Sequence, residues 1–220
     1  IPNNDPDGSE SPFLINLIGN GQEPARGTDS FGYNYVSPTP PSGLSLAAGD
    51  DGVVSLTNLA GDDNSQAVNI GFPFYFYDKS YTSLSASTNG LLVFGGSSTA
   101  YRAESIPSSG RSNNFIAAFW TDLAKGSGSK ILYTTSGSAP DRIFVLEYQN
   151  MEEYSNSAAK VSFQVILHEG SNTIQIQINK ATGLKNTRDV TVGIDGPTTP
   201  GGISHFNKIK VPAINPTAPV

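Results

Sequence analysis

The chain has 220 residues, a formal net charge of −6 and no cysteine, so disulfide scaffolds, thiolate metal centres and cysteine nucleophiles are excluded. Its 15% charged residues fall below the globular norm of about 25%, with no Lys/Arg cluster, and a nucleic-acid partner is not expected. The longest apolar runs fall far short of the roughly 20 residues that span a bilayer, so no transmembrane segment is expected.

Residues 1–10 read IPNNDPDGSE, a turn-rich tail that opens on Ile1, and the only methionine is Met151. A removed leader peptide, and hence secretion to the cell surface or matrix, is expected. Phe13, Leu14, Ile15, Leu17 and Ile18 form a short apolar strand isolated between loop-like stretches. A Gly/Pro-rich linker follows, carrying Phe31, Tyr33 and Tyr35, and then Pro38, Pro40 and Pro41, which stiffen the chain.

From about residue 53 strands become dense. In 69–77, NIGFPFYFY, Phe72, Phe74 and Phe76 are expected on one face and Tyr75 and Tyr77 on the other. Asn89-Gly90 predicts a type I′ hairpin turn. Further strands are expected at 115–120, 131–135, 142–148, 190–194 and 206–211. The clearest hairpin joins 160–168 to 173–179. There Val161, Phe163, Val165 and Leu167 face Ile174, Ile176 and Ile178, while Gln164, Gln175 and Gln177 are expected on a wet outer face. No stretch shows a sustained helical period. The expected fold is all-β, an antiparallel β-sandwich of jelly-roll or Ig-like type. Residues 1–48 would be an extended segment with one strand, 49–211 the sandwich, and 212–220 a Pro-rich tail.

Five segments in order carry a family resemblance. They are Gly71-Phe-Pro-Phe-Tyr-Phe-Tyr with Ser87-Thr-Asn-Gly-Leu-Leu-Val-Phe-Gly, Asn114-Phe-Ile-Ala-Ala-Phe-Trp-Thr-Asp-Leu, Lys130-Ile-Leu-Tyr with Phe144-Val-Leu-Glu-Tyr, Phe163-Gln-Val-Ile-Leu, and Thr191-Val-Gly-Ile-Asp. Together, over about 68–196, they resemble nidogen-like (NIDO-like) extracellular domains. Ala118 stands where that family usually has proline, and Tyr148 where tryptophan is frequent. The absence of cysteine is more like a microbial surface protein than an animal matrix protein. The resemblance implies an extracellular domain with an adhesive or matrix role and no catalytic residues.

Candidate sites divide into four kinds. His168 and His205 lie in no nucleophile or base motif, so no enzyme activity is expected. Asp5, Asp7 and Glu10, and separately Asp50 and Asp51, place oxygen ligands in turns that could hold Ca2+, and Asp62-Asp63-Asn64 is another such turn. Tyr33, Tyr35, Tyr75 and Tyr77 could present aromatic faces to glycans, although strand aromatics more often pack across strands. Lastly, the strand of Phe13, Leu14, Ile15, Leu17 and Ile18 can pair within its own sheet or cross to a second copy by β-strand addition. The expected function is a non-catalytic structural or adhesive surface protein that self-assembles through that strand. A monomeric carbohydrate-binding module or a calcium-dependent adhesin domain are the alternatives.

Overall fold

The computed structural model describes residues 13–17, 26–36, 45–108, 114–185, 187–197 and 201–210, and these contain no helix. The strands form two sheets packed as an open antiparallel sandwich, as expected. The first sheet runs, in spatial order, β2 (Arg26–Thr28), β3 (Asn34–Val36), β1 (Phe13–Leu17), β13 (Ile174–Thr182), β12 (Asn156–His168), β11 (Ile143–Glu153), β10 (Lys130–Ser136) and β4 (Val54–Ser55). A short β9 (Leu123–Ala124) pairs with the far end of β11. The second sheet runs β15 (Gly202–Lys210), β14 (Asp189–Asp195), β8 (Phe115–Trp120), β7 (Leu91–Val93), β6 (Lys79–Ser87) and β5 (Ser65–Phe76).

Alternation builds the core. Along β5, Val68, Ile70, Phe72, Phe74 and Phe76 are buried while the residues between them are exposed. They meet Val161, Phe163, Val165 and Leu167 of β12 and Ile174, Ile176 and Ile178 of β13 in one cluster. Each such side chain contributes ~1.5–3 kcal/mol on leaving water. β5 is an edge strand, and there Pro73 interrupts no ladder: the pairing with β6 skips from Asn69↔Ser83 to Phe74↔Tyr81.

Three local expectations are corrected. The first concerns turns. Phe76 pairs with Lys79, so Tyr77-Asp78 is the two-residue loop, and its φ angles of 47° and 59° make it the type I′ turn. The reversal throws Tyr77 inward, to 7% exposure, and leaves Tyr75 alone outside. The second concerns Asn89-Gly90. Ala86 pairs with Leu92, and only Gly90 has positive φ, so the β6–β7 connection is a longer loop closed by a glycine and not a type I′ turn. The third concerns the glutamines. Gln164, Gln175 and Gln177 are buried, with Gln164 aligned between Glu147 of β11 and Gln177 of β13. This face is not wet. Part of its cover is residues 45–47, whose Leu46 N–H donates to Glu147 Oε2 at 2.7 Å and whose Leu46 carbonyl accepts from Gln149 Nε2 at 2.8 Å.

β1 breaks the antiparallel rule. It lies between β13 and β3 and is parallel to both, with Phe13, Ile15 and Leu17 in register with Ile174, Ile176 and Ile178. Tyr77 supports this region from the second sheet. Its ring lies 4.7 Å from that of Tyr33 and 5.0 Å from that of Phe31, and its hydroxyl donates to Asp29 Oδ2 at 2.8 Å. Asp29 Oδ1 in turn accepts the N–H groups of Phe31, Gly32 and Tyr33. The segment leading into β3 is therefore clamped to the sandwich independently of β1.

The β14–β15 end holds two oppositely perturbed groups. Burial raises the Asp195 carboxyl from 3.8 to about 6, against the Ser108 N–H that donates to it at 3.1 Å. Burial lowers His205 from 6.5 to about 4. The folded state binds the Asp195 proton more tightly than the unfolded chain does, so that group makes stability fall as pH rises from 3.8 to about 6. It binds the His205 proton less tightly, so that group makes stability rise from about pH 4 to 6.5. The two effects oppose each other in the shared window. Asp195→Asn is expected to leave a stability that rises with pH, and His205→Phe one that falls. Urea unfolding at pH 4.5 and 6.5 reads the difference, and variants with the wild-type slope would contradict it.

Candidate functional site

The segments around Asn89 and Asp122 meet at one end of the sandwich. Asn89 is fully buried at the tip of the β6–β7 loop. Its Nδ2 donates to Asp63 Oδ1 at 2.7 Å and to the Thr99 carbonyl at 3.1 Å, and its Oδ1 accepts the Leu123 N–H at 2.8 Å. Thr88 joins the same loop to Asn64 by its backbone N–H (2.9 Å) and by its hydroxyl, which accepts the Asn64 N–H at 3.1 Å. The loop backbone also fits against β8: the Ala118 N–H donates to the Gly90 carbonyl at 2.9 Å.

Trp120 is buried, in a second small cluster with Leu91, Ala103, Ile106, Phe115 and Ala117 on the outer side of the second sheet. Its Nε1 donates to the Ala100 carbonyl at 2.8 Å. Two residues on, Asp122 is buried and paired with Arg188, whose Nε also lies 3.3 Å from Glu153 Oε1. Arg188 Nη2 donates to the Tyr154 carbonyl at 3.1 Å, and the Tyr154 N–H donates to the Asp122 carbonyl at 3.0 Å. Three stretches distant in sequence thus share one polar junction.

Asn89 and Asp122, one in each junction, lie in segments that carry the motif likeness. The NIDO-related family model matches residues 45–219, about four-fifths of the chain. The chain belongs to the NIDO-related family. No curated protein and no solved structure matches it. NIDO-related domains are of the extracellular type, and among the described residues no helix is long and apolar enough to cross a membrane. The match begins at residue 45, so β1, β2 and β3 precede the family domain yet complete its first sheet.

The motif residues of this NIDO-related domain have structural roles. Asn89→Ala would leave the Leu123 N–H and Thr99 carbonyl without their side-chain partners, and a loss of ~3 kcal/mol is expected in urea unfolding. A loss below ~1 kcal/mol would show that the junction relaxes around water.

Sequence reasoning missed one cluster. Asp62, Asp63 and Asp122 bring a carboxylate oxygen each within 4.8 Å of one another. Burial, then the neighbouring Asp63 and Asp122, raise the Asp62 carboxyl; burial also raises Asp122, with Arg188 opposing. All three acids already accept donors: Asp62 Oδ1 from the Asp63 N–H at 3.0 Å, Asp63 from Asn89 and Asp122 from Arg188. The Asp62-Asp63 turn was visible in sequence, but its approach to Asp122 was not.

The expected sites separate in space. Asp5, Asp7, Glu10 and Ile18 lie outside the described residues. Asp50 and Asp51 are exposed in the turn before β4, where Asp50 Oδ2 accepts the Ala47 N–H at 3.3 Å, and neither joins the acidic cluster. Tyr33 and Tyr77 are buried against each other and offer no open ring face. Tyr75 is 51% exposed on the outer face, so Tyr33, Tyr75 and Tyr77 form no single platform; Tyr35 lies in β3. His168 bonds Gln175 and is lowered by burial, while His205 packs on Phe206 at 4.4 Å.

Proposed function

We propose that this NIDO-related chain is a secreted, non-catalytic structural protein of a cell surface or matrix that self-assembles by β-strand addition of β1. One observation carries the reading. β1 is an N-terminal strand outside the family domain, inserted between two neighbours rather than laid on an edge.

Removing it leaves a slot one strand wide. β13 forms one wall and is held by its antiparallel hairpin with β12; β3 forms the other and is held by the Phe31–Tyr33–Tyr77 clamp. A strand from a second copy in the same parallel register would satisfy the same backbone groups, so exchange conserves the hydrogen bonds. Among the described residues β1 precedes every other strand, so its exchange leaves the pairings of the later strands with one another intact. The partner is thus another copy of the chain, with surface or matrix components as further contacts; the acidic charge of −6 disfavours nucleic acid.

The test is electron microscopy of the full chain beside a chain lacking residues 1–17. Filaments from the first and monomers from the second are expected. A full chain that stays monomeric at high concentration overturns the assembly reading.

A further inference from the structure

A cavity of ≈ 450 Å³ opens beside Asp122, walled by loops of both sheets. That volume lies within the ~300–1,000 Å³ usual for small-ligand sites. Its rim carries two tyrosines, Tyr101 and Tyr154, which are 40% and 45% exposed. They are two of only five large hydrophobic side chains exposed among the described residues, and both line this one cavity. Exposed aromatic rings at a polar concavity suit the apolar faces of sugar rings, whose hydroxyls then meet the floor. Buried Thr121 and Asp122 form part of that floor.

The charges select among sugars. The lining has three cations, Arg102, Arg188 and Lys208, and two anions, Asp122 and Asp189. Arg188 is committed to Asp122 and Glu153. Asp189 is held closely by Lys210 at 2.6 Å, with Lys208 more distant at 3.8 Å. Arg102 makes no ion pair among the described residues, and its guanidinium rests 5.4 Å from the centre of the Tyr101 ring. An arginine poised on an aromatic ring, with the loosely held Lys208 in the same lining, is a receptor for a carboxylate. In a chain of net charge −6, cations outnumber anions in this lining by three to two, with Asp62 and Asp63 behind Asp122 and Glu153 behind Arg188.

We propose that this cavity binds an acidic saccharide, a hexuronate unit whose ring stacks on Tyr101 or Tyr154 and whose carboxylate pairs with Arg102 and Lys208. The site is distinct from the β1 slot and does not depend on assembly.

Calorimetric titration of the full chain with tetramers of galacturonate, glucuronate and mannuronate tests it, with neutral cello-oligosaccharide and tetraglutamate as comparison ligands. Binding of at least one uronate tetramer, weakened by added salt, is expected. Arg102→Gln and Tyr154→Ala should each weaken it at least about tenfold, the value of one charge-assisted bond or stacking contact. Tyr75→Ala, away from the cavity, should leave it unchanged. Arg102 and Tyr154 are exposed, and an unchanged melting curve shows that the variants fold. No binding of any uronate, equal binding of the neutral oligosaccharide or of tetraglutamate, or full affinity in both variants overturns the proposal. Loss of filaments with uronate binding intact would count against the assembly reading alone.

Discussion

Replacing Gly90 with alanine is expected to cost at least ~3 kcal/mol and to lower the melting temperature by about 10 °C or to prevent folding altogether. Two costs combine. The φ of 78° is one that L side chains rarely adopt. A Cβ there would also stand 2.4 Å from the carbonyl oxygen of Phe119 and 2.9 Å from its carbon, both backbone atoms of the strand that carries the core. The neighbouring ladder cannot yield, because Phe119 is fully buried and stacks on Phe163 at 5.9 Å. Gly49→Ala separates the two costs: its φ is 102°, but nothing lies within 4 Å of the new methyl. Thermal unfolding of both variants should show a small loss at Gly49 and a large one at Gly90. Equal losses would mean that the dihedral alone matters and that β8 gives way.

Removing residues 1–17 has the second large effect. It takes away a strand paired on both sides and turns β13 into an edge beside Ile174, Ile176 and Ile178, all fully buried in the intact fold. A loss of several kcal/mol is expected from the opened ladder and the newly wetted core edge. A synthetic peptide of residues 11–19 should restore much of it by refilling the slot, and should bind as a monomer cap rather than a joint. Cysteines report whose strand fills the slot, since the chain has none of its own. Ile15 and Ile176 are register partners on adjacent strands, a separation that disulfide geometry accepts. The double variant Ile15→Cys, Ile176→Cys, oxidised after assembly, is expected to give covalent ladders on a non-reducing gel. A product that remains one chain long would show that each strand returns to its own sheet, and the strand-addition reading would fail.

Some of this was legible in the residues. The β12–β13 hairpin follows from its two alternating apolar rows, because a period of two allows only one face inward, and its register came out as that pattern requires. The inward row of β5 is legible for the same reason. The loop at Asn89-Gly90 was visible too, because glycine is needed wherever φ is positive.

What patterns of near neighbours could not convey is what stands opposite them. Gln164 and Gln177 read as a solvent face by alternation, yet they are buried: a sheet has two sides, and only tertiary structure decides whether the polar one is roofed. Tyr77 read as the partner of Tyr75 until the turn at Tyr77-Asp78 reversed its direction. The partners of the polar junction lie 26 residues apart for Asp63 and Asn89 and 66 apart for Asp122 and Arg188, beyond any local period. The sequence by itself determined the inward rows of β5, β12 and β13, the all-β class and the family, because each depends on side-chain alternation or an ordered set of short motifs. The tertiary structure alone decided that β1 enters between β13 and β3 in parallel, and that Tyr101, Arg102 and Tyr154 share one cavity, because both depend on how distant segments close on one another.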